Sequence, residues 1–385
     1  MTKANKIKVA MVSHDFPLQE GVLDGGVTAA VYYLSAALQE TGDVELDIIR
    51  PLAPNEYNGQ LSVAGLRVHA LNVPAGQSGG LHSQWSVRNV VREKLQELGP
   101  EVIHVQGHAV IAAGLPPEKT VLTVHGILEK DILFRGRGRW VKSKLLGITQ
   151  RYAYNRVRNI ISISPYIRQQ VTTHADHRVW DIANPVAPQY FDVQRAPRKG
   201  VIFSAAMICE RKNVQGLIRA FAGVAKQLPH AELRLAGAVG RDLEYVEECR
   251  RLAASFRIEE RVKFLGILNV PQMLQELAQA DCFALCSFQE SAPVSIGEAM
   301  AAGVPVLASA VGGVSNLVQE GVTGRLIKPE DTAGITQALL QLLNKDDLST
   351  MATAARTKAV AEYHSSAVAH KTIQVYKALL TCKTL

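Results

Sequence analysis

Apolar and polar positions follow two rhythms along this chain. Short apolar runs bounded by turn residues predict buried strands, and longer stretches with an apolar residue every three or four positions predict amphipathic helices. In the first half the strands are expected at Val9–Val12, Leu46–Ile49, Val102–Val105, Val121–Val124 and Ile160–Ser164. Thr28–Glu40 and Ser86–Leu98 carry the helical period between them. The rhythm breaks around residues 185–200. There Asn184-Pro-Val-Ala-Pro188 and Arg195-Ala-Pro-Arg-Lys-Gly200 are rich in proline and polar residues, which predicts a linker and a hinge.

Beyond that break the alternation restarts. Strands are expected at Val201–Ser204, Leu233–Ala236, Val262–Leu265, Cys282–Leu285, Val306–Ala308 and Arg325–Ile327. Helices are expected at Val214–Lys226, Leu243–Phe256, Pro271–Ala280, Ser295–Ala302 and Ala333–Leu343, and the chain closes with Leu348–Tyr363 and Ala367–Leu380. Strand and helix in regular alternation predict an α/β protein whose parallel sheets carry helices on both faces. Here the pattern gives two doubly wound, Rossmann-like domains facing across a cleft, one over residues 1–190 and the other over 198–365.

A length of 385 residues suits two domains, and a hydrophobic fraction of 47% supplies apolar material for two cores. No run of eighteen apolar residues occurs, so no transmembrane helix is expected. The opening Met1-Thr-Lys-Ala-Asn-Lys-Ile-Lys has no secretory h-region or cleavage site. The five cysteines are scattered without the spacing of a zinc site and read as buried or idle thiols of a reducing compartment. A cytoplasmic protein is expected. The net charge of +7 is unevenly spread: from Ile132 to Ala175 there is no acidic residue, while Arg135, Arg137, Arg139, Lys142, Lys144, Arg151, Arg156, Arg158 and Arg168 alternate with apolar and aromatic residues. Such a stretch fits the inner face of an anionic membrane, an anionic acceptor or a solvated helix face, and the sequence leaves these open. Nucleic acid is disfavoured, because no recognition motif accompanies the charge.

The most informative segment runs Glu290-Ser-Ala-Pro-Val-Ser-Ile-Gly-Glu298-Ala-Met-Ala-Ala-Gly303-Val-Pro305-Val-Leu-Ala-Ser309. It sets two carboxylates eight positions apart, the first before a turn and the second inside the helix that follows. The unpaired N–H groups and positive dipole end of a helix start suit an anion. A carboxylate, accepting along several lone-pair directions, suits vicinal hydroxyls. Together they suit a sugar, a diphosphate and a ribose.

With Val311-Gly312-Gly313 and the run on to Gly324, this phrase resembles the GT-B glycosyltransferases of the retaining, family-4 type with their E-x7-E signature. The resemblance covers nearly the whole chain. It implies transfer of a sugar from a nucleotide-diphosphate sugar, UDP-sugar favoured over GDP-sugar, to a hydroxyl of a glycan, a lipid-linked or a small-molecule acceptor. It implies that Glu290 faces the sugar hydroxyls, that Glu298 holds the ribose, and that backbone amides of Ala292, Val294 and Ser295 approach the donor, Pro293 having no N–H. Lys212 matches the family lysine at the phosphates. The family arginine falls where this chain has Ala206 and Met207, and Arg211 is the neighbour suited to replace it. His125, ending a strand in Thr123-Val124-His125-Gly126, resembles the family's sugar contact from the first domain. The glycine turn Gly25-Gly26-Val-Thr28 would approach the donor phosphates or the acceptor, with Thr28 suited to cap the next helix. Asp15 and Arg135 are candidate acceptor contacts. His104 and His108 read as cleft-lining or structural residues. The resemblance further implies no cofactor, no metal in the chemistry and no protein nucleophile, the leaving phosphate taking the acceptor's proton. It also implies that a C-terminal helix over 366–385 packs back on the first domain. Another nucleotide-sugar enzyme such as an epimerase, or a non-catalytic relative keeping the fold, are the alternatives.

Overall fold

The computed structural model describes residues 6–21, 23, 25–52, 58–73, 81–134, 139–171, 177–239, 243–344 and 348–381. The chain forms two units. One comprises Met1–Glu20, Ala30–Asn184 and Ser365–Leu385, and the other Gly21–Ala29 with Pro185–His364. Among the described residues no helix is long and apolar enough to cross a membrane.

The first unit is built on β1 (Ile7–Val12), β2 (Val44–Leu52), β3 (Gly59–Val63), β4 (Leu66–Asn72), β5 (Val102–Gln106), β6 (Thr120–Val124), β7 (Asn159–Ser162) and β8 (Arg178–Asp181). Their order in the sheet is β3-β4-β2-β1-β5-β6-β7-β8. Every neighbouring pair is parallel except β3 with β4. Strands β5 and β6 are buried at every residue, as expected where helices cover both faces.

Three of these strands are not expected from the apolar pattern. β3 and β8 are the sheet edges, and Gly-Gln-Leu-Ser-Val and Arg-Val-Trp-Asp are largely half-exposed or exposed, so no apolar run marks them. β3 turns into β4 through Ala64 and Gly65, both at positive φ (49° and 79°), the requirement of a two-residue hairpin with a primed turn. Ala-Gly lacks the Asn-Gly signature by which such a turn is recognised.

The second unit holds β9 (Val201–Ala205), β10 (Glu232–Ala236), β11 (Val262–Gly266), β12 (Cys282–Leu285), β13 (Val306–Ser309) and β14 (Gly324–Ile327). All pairs are parallel in the order β11-β10-β9-β12-β13-β14. The order reverses between β9 and β12, where Phe203 and Phe283 pack edge-on at 6.1 Å. The loops that leave the carboxyl ends of strands at such a reversal form the ligand crevice of a doubly wound sheet.

Two segments tie each unit together. The C-terminal helix Ser365–Thr381 belongs to the first unit and buries Val368, Ile373, Tyr376 and Leu379 there. Pro185–Gly200, expected as a linker, is packed in the second unit: Tyr190 and Phe191 are buried, and Val186 donates its N–H to Tyr363 O at 2.6 Å. The expected linker thus begins where the two units part, and its two aromatic residues pack it on the second.

Gly237, just past β10, sits at φ 144°, and a Cβ built there would lie 2.0 Å from Ala206 O. That oxygen belongs to the backbone leaving β9, so it has little room to retreat. Gly237→Ala is expected to cost about 2 kcal/mol through backbone strain and displacement of the β9 loop. Urea unfolding of the variant measures it.

Candidate active site

In the second unit the chain leaves β9 through Ala206–Cys209 and makes one 3-10 turn, Glu210–Lys212. Asn213 follows in the left-handed region (φ 51°, ψ 42°), which asparagine tolerates better than most residues. Its side chain caps the helix Val214–Gln227 by accepting from Gly216 N at 3.2 Å. The same amide donates to Cys286 O at 3.1 Å, just past β12, and to Pro329 O at 2.8 Å, just past β14. One residue thus pins three strand-end loops in register.

The loop after β12 is held at several further points. Phe288 donates its N–H to Arg211 O at 2.9 Å, Arg211 Nη1 donates to Gln289 O at 2.8 Å, and Gly313 N donates to Glu290 O at 3.2 Å. These bonds deliver the Glu290 side chain, 6% exposed, onto Lys212 Nζ, with Arg211 Nη1 at 3.6 Å from its other oxygen. Burial opposes ionisation of Glu290, but the Lys212 and Arg211 charges and the Lys212 hydrogen bond outweigh it and hold the carboxyl below its usual range. Glu290 is therefore a carboxylate at neutral pH, with two basic side chains set against it.

Three residues beyond Glu290, Pro293 occupies the N-cap of the helix Val294–Ala301, in which Glu298 is buried. The helix stops in a Schellman turn: Gly303 at φ 70° donates to Met300 O, and Val304 to Ala299 O at 2.9 Å. This explains the Ala-Ala-Gly-Val-Pro spelling, because the chain must turn at once into β13. A Cβ built on Gly26, which belongs to the same unit, would lie 3.9 Å from Val294. The helix that begins there runs Gly26–Glu40, so Thr28 lies inside its first turn rather than at its cap; Gly25 O accepts from Ala29 N at 2.9 Å. The glycine turn carries the chain into the helix three residues earlier than a cap at Thr28 would.

The structure thus brings together Arg211, Lys212 and Glu290, places Ala292, Val294, Ser295 and Glu298 on the segment that follows, and sets Gly26 against Val294. Asn213 is the residue the sequence analysis missed. An asparagine directly before an apolar-periodic run is a cap signal and marks the position. Cys282 and Cys286 are buried, and burial raises both thiols, that of Cys286 to about 12, so they are inert.

In the first unit His125 follows β6, and its Nε2 lies 2.8 Å from Gln106 Oε1, at the end of β5. His104 Nδ1 lies 2.7 Å from the Tyr376 hydroxyl, and its Nε2 2.7 Å from Thr123 Oγ1. His104 is thereby a structural link to the C-terminal helix. His14, after β1, packs against His108 with ring centroids 4.0 Å apart and the rings tilted by 52°. Asp15 is exposed beside this pair, its N–H donating to Ser13 Oγ at 3.1 Å. Arg135 lies outside the described residues.

Burial lowers the first-unit imidazoles, His14 and His104 to about 3 and His125 to about 4. Unfolding returns them to about 6.5, so the unfolded chain binds more protons in the interval between. Their contribution to stability is complete above about pH 6.5 and is lost progressively toward pH 4 and below. Glu290 contributes its loss only lower, below the ordinary carboxylate range. The thermal unfolding midpoint is therefore expected to fall as pH drops from 7 to 5, on account of histidines, as a calorimetric pH series will show.

Two doubly wound sheets, the second with a buried carboxylate–cation cluster at its strand-order reversal, define an α/β protein of two Rossmann-like domains. A family model described as Glycosyl transferases group 1 matches residues 188–359, and one described as Glycosyl transferase 4-like domain matches residues 25–179. The chain is 26% identical over 369 residues to the phosphatidyl-myo-inositol mannosyltransferase of Mycobacterium leprae, covering 93% of this chain and 94% of that one. It is 35% identical over 155 residues to the D-inositol 3-phosphate glycosyltransferase of Nocardia farcinica, a match spanning 40% of this chain but only 34% of that enzyme. The match to the N-acetyl-alpha-D-glucosaminyl L-malate synthase of Bacillus anthracis is 32% over 168 residues, 43% of this chain and 42% of the relative. Among solved structures, the sucrose-phosphate synthase of Thermosynechococcus elongatus superposes with a TM-score of 0.81 at 19% identity, over 98% of this chain and 100% of that one. Anabaena HepE in complex with UDP-glucose gives 0.73 at 19% identity, over 98% and 100%. At these identities the likeness concerns the fold. The chain belongs to the GT-B glycosyltransferases of the family-4 type.

Proposed function

We propose that this protein moves a sugar from a nucleotide-diphosphate donor, a UDP-sugar in the first instance, to an acceptor hydroxyl with retention of the anomeric configuration. The observation that carries the reading is the buried Glu290 carboxylate held by Lys212 and Arg211 where the second sheet reverses. Departure of a nucleoside diphosphate builds negative charge on its phosphates, and preorganised cations in a water-poor site stabilise that charge. Lys212 and Arg211 take this role, Arg211 in place of an arginine at Ala206 or Met207. Glu290 receives the sugar hydroxyls, Glu298 the ribose, and the amides of Ala292, Val294 and Ser295 with the Gly26 turn line the diphosphate. His125, neutral at physiological pH, contacts the sugar, and Asp15 and Arg135 contact the acceptor.

In the transfer step the bond from the anomeric carbon to the phosphate oxygen breaks as the acceptor oxygen bonds to that carbon from the same face. The acceptor's proton passes to the leaving phosphate. Positioning and charge carry the rate, with no bound metal and no covalent enzyme intermediate. Relatives named for inositol phosphate and phosphatidylinositol support an acceptor that is a polyol or carries an anionic group, soluble or lipid-linked. The protein is assigned to the cytoplasm.

The test is incubation with UDP-, GDP- and ADP-sugars and candidate polyol acceptors, scoring released nucleotide and, by proton coupling constants, the anomer formed. Turnover of one donor with a retained anomer is expected. An inverted anomer would refute the retaining mechanism.

A further inference from the structure

The first unit carries an apolar stripe that its own fold leaves uncovered. Helix Arg139–Tyr154 buries Gly147, Gln150, Ala153 and Tyr154. On its outer side Val141, Leu145, Ile148 and Tyr152 are 65%, 60%, 59% and 60% exposed. These positions step by four, three and four residues, so they form one line along the helix. Trp140, 67% exposed, borders the line. The helical repeat puts Lys142 on one flank of the line, and Lys144 and Arg151 on the other. The nearest acidic residue of the neighbouring turn, Glu129, lies on the packed side: its carbonyl accepts from Ser143 Oγ at 2.8 Å, and its carboxyl would sit 3.4 Å from a Cβ on buried Gly147. No acidic residue occurs from Ile132 to Ala175.

We propose that this helix seats the protein on an anionic lipid surface. It lies in the plane of the interface, with the stripe sunk at the boundary of headgroups and acyl chains and Lys142 and Lys144 at the lipid phosphates, while Arg151 turns its guanidinium toward Gly147 on the side of Glu129. Trp140 and Tyr152 have the amphipathic rings that favour that depth. Charge decides the occupant. A second copy packed on the stripe would bring basic flank against basic flank, whereas a layer of anionic headgroups neutralises both flanks at once. The surface is separate from the donor residues and does not depend on their chemistry.

The experiment is co-sedimentation of the whole protein with vesicles of phosphatidylcholine, with and without one-third phosphatidylglycerol, at low salt. Wild type is expected to bind the anionic vesicles and to release them at high salt. The variants Leu145→Gln/Ile148→Gln/Tyr152→Ser and Lys142→Glu/Lys144→Glu should each bind at least tenfold more weakly, with unchanged circular dichroism. Lys212→Ala should bind as wild type does, so a failure of the donor assignment leaves this measurement intact. No binding by wild type, or full binding by either variant, overturns the proposal. So does concentration-dependent dimerisation that the apolar variant abolishes.

Discussion

Lys212→Ala is expected to lower kcat/KM for sugar transfer by at least about 100-fold, the size of effect seen when one preorganised charge-stabilising donor is removed. The lysine holds Glu290 directly, with 12% and 6% of the two side chains exposed. Removing one partner of a buried pair also destabilises by several kcal/mol when the other is left alone. Here Arg211 remains 3.6 Å from Glu290 and limits that cost. The variant is therefore expected to fold, with a lower unfolding midpoint and wild-type circular dichroism, while losing turnover. Lys212→Arg keeps the charge but not the point contact, and should recover only part of the rate. Steady-state kinetics beside thermal unfolding separates the two effects. Turnover within twofold of wild type in Lys212→Ala would remove the lysine from the chemistry.

Asn213→Ala should be the most damaging single change to stability near the site, costing about 4 kcal/mol. The substitution deletes the helix cap, worth about 1 kcal/mol. It strands the Cys286 and Pro329 carbonyls, at about 1 kcal/mol each, and puts alanine in the left-handed region. Asn213→Gly relieves the backbone term alone and should unfold at intermediate denaturant. Since the Cys286 carbonyl starts the loop that presents Glu290, both variants should also raise KM for the donor. Chemical denaturation of the three proteins gives the ranking, and equal midpoints would contradict the clamp.

The legibility of this chain followed burial. Strands covered on both faces, such as Cys282–Leu285 and Val121–Val124, are continuous apolar runs and were readable to within a residue. The edge strands β3 and β8 pack little, so their composition carries no such mark. Within the site, the resemblance points to Glu290 through the Glu290–Gly324 phrase and to Lys212 through the segment after Val201–Ser204, yet their pairing was not foreseeable. It joins residues 78 apart in sequence, through a loop register that Asn213 and Gly313 fix. The linkage of His104 to Tyr376 spans 272 positions and was invisible for the same reason. The two units part at Asn184 and Pro185, where the expected linker begins, while the packing of Tyr190 and Phe191 within it is not marked by a composition of proline and charge.

The central claim is that the second unit binds a nucleoside diphosphate through this cluster and Glu298. A thermal-shift titration of wild type and Glu298→Ala with UDP, GDP, ADP and dTDP tests it most directly, because a ligand that binds only the folded state raises stability by RT ln(1 + [L]/Kd). One nucleotide, expected to be UDP, should give a saturable rise in wild type that Glu298→Ala loses. No rise with any of the four, or an equal rise in the variant, would contradict the assignment.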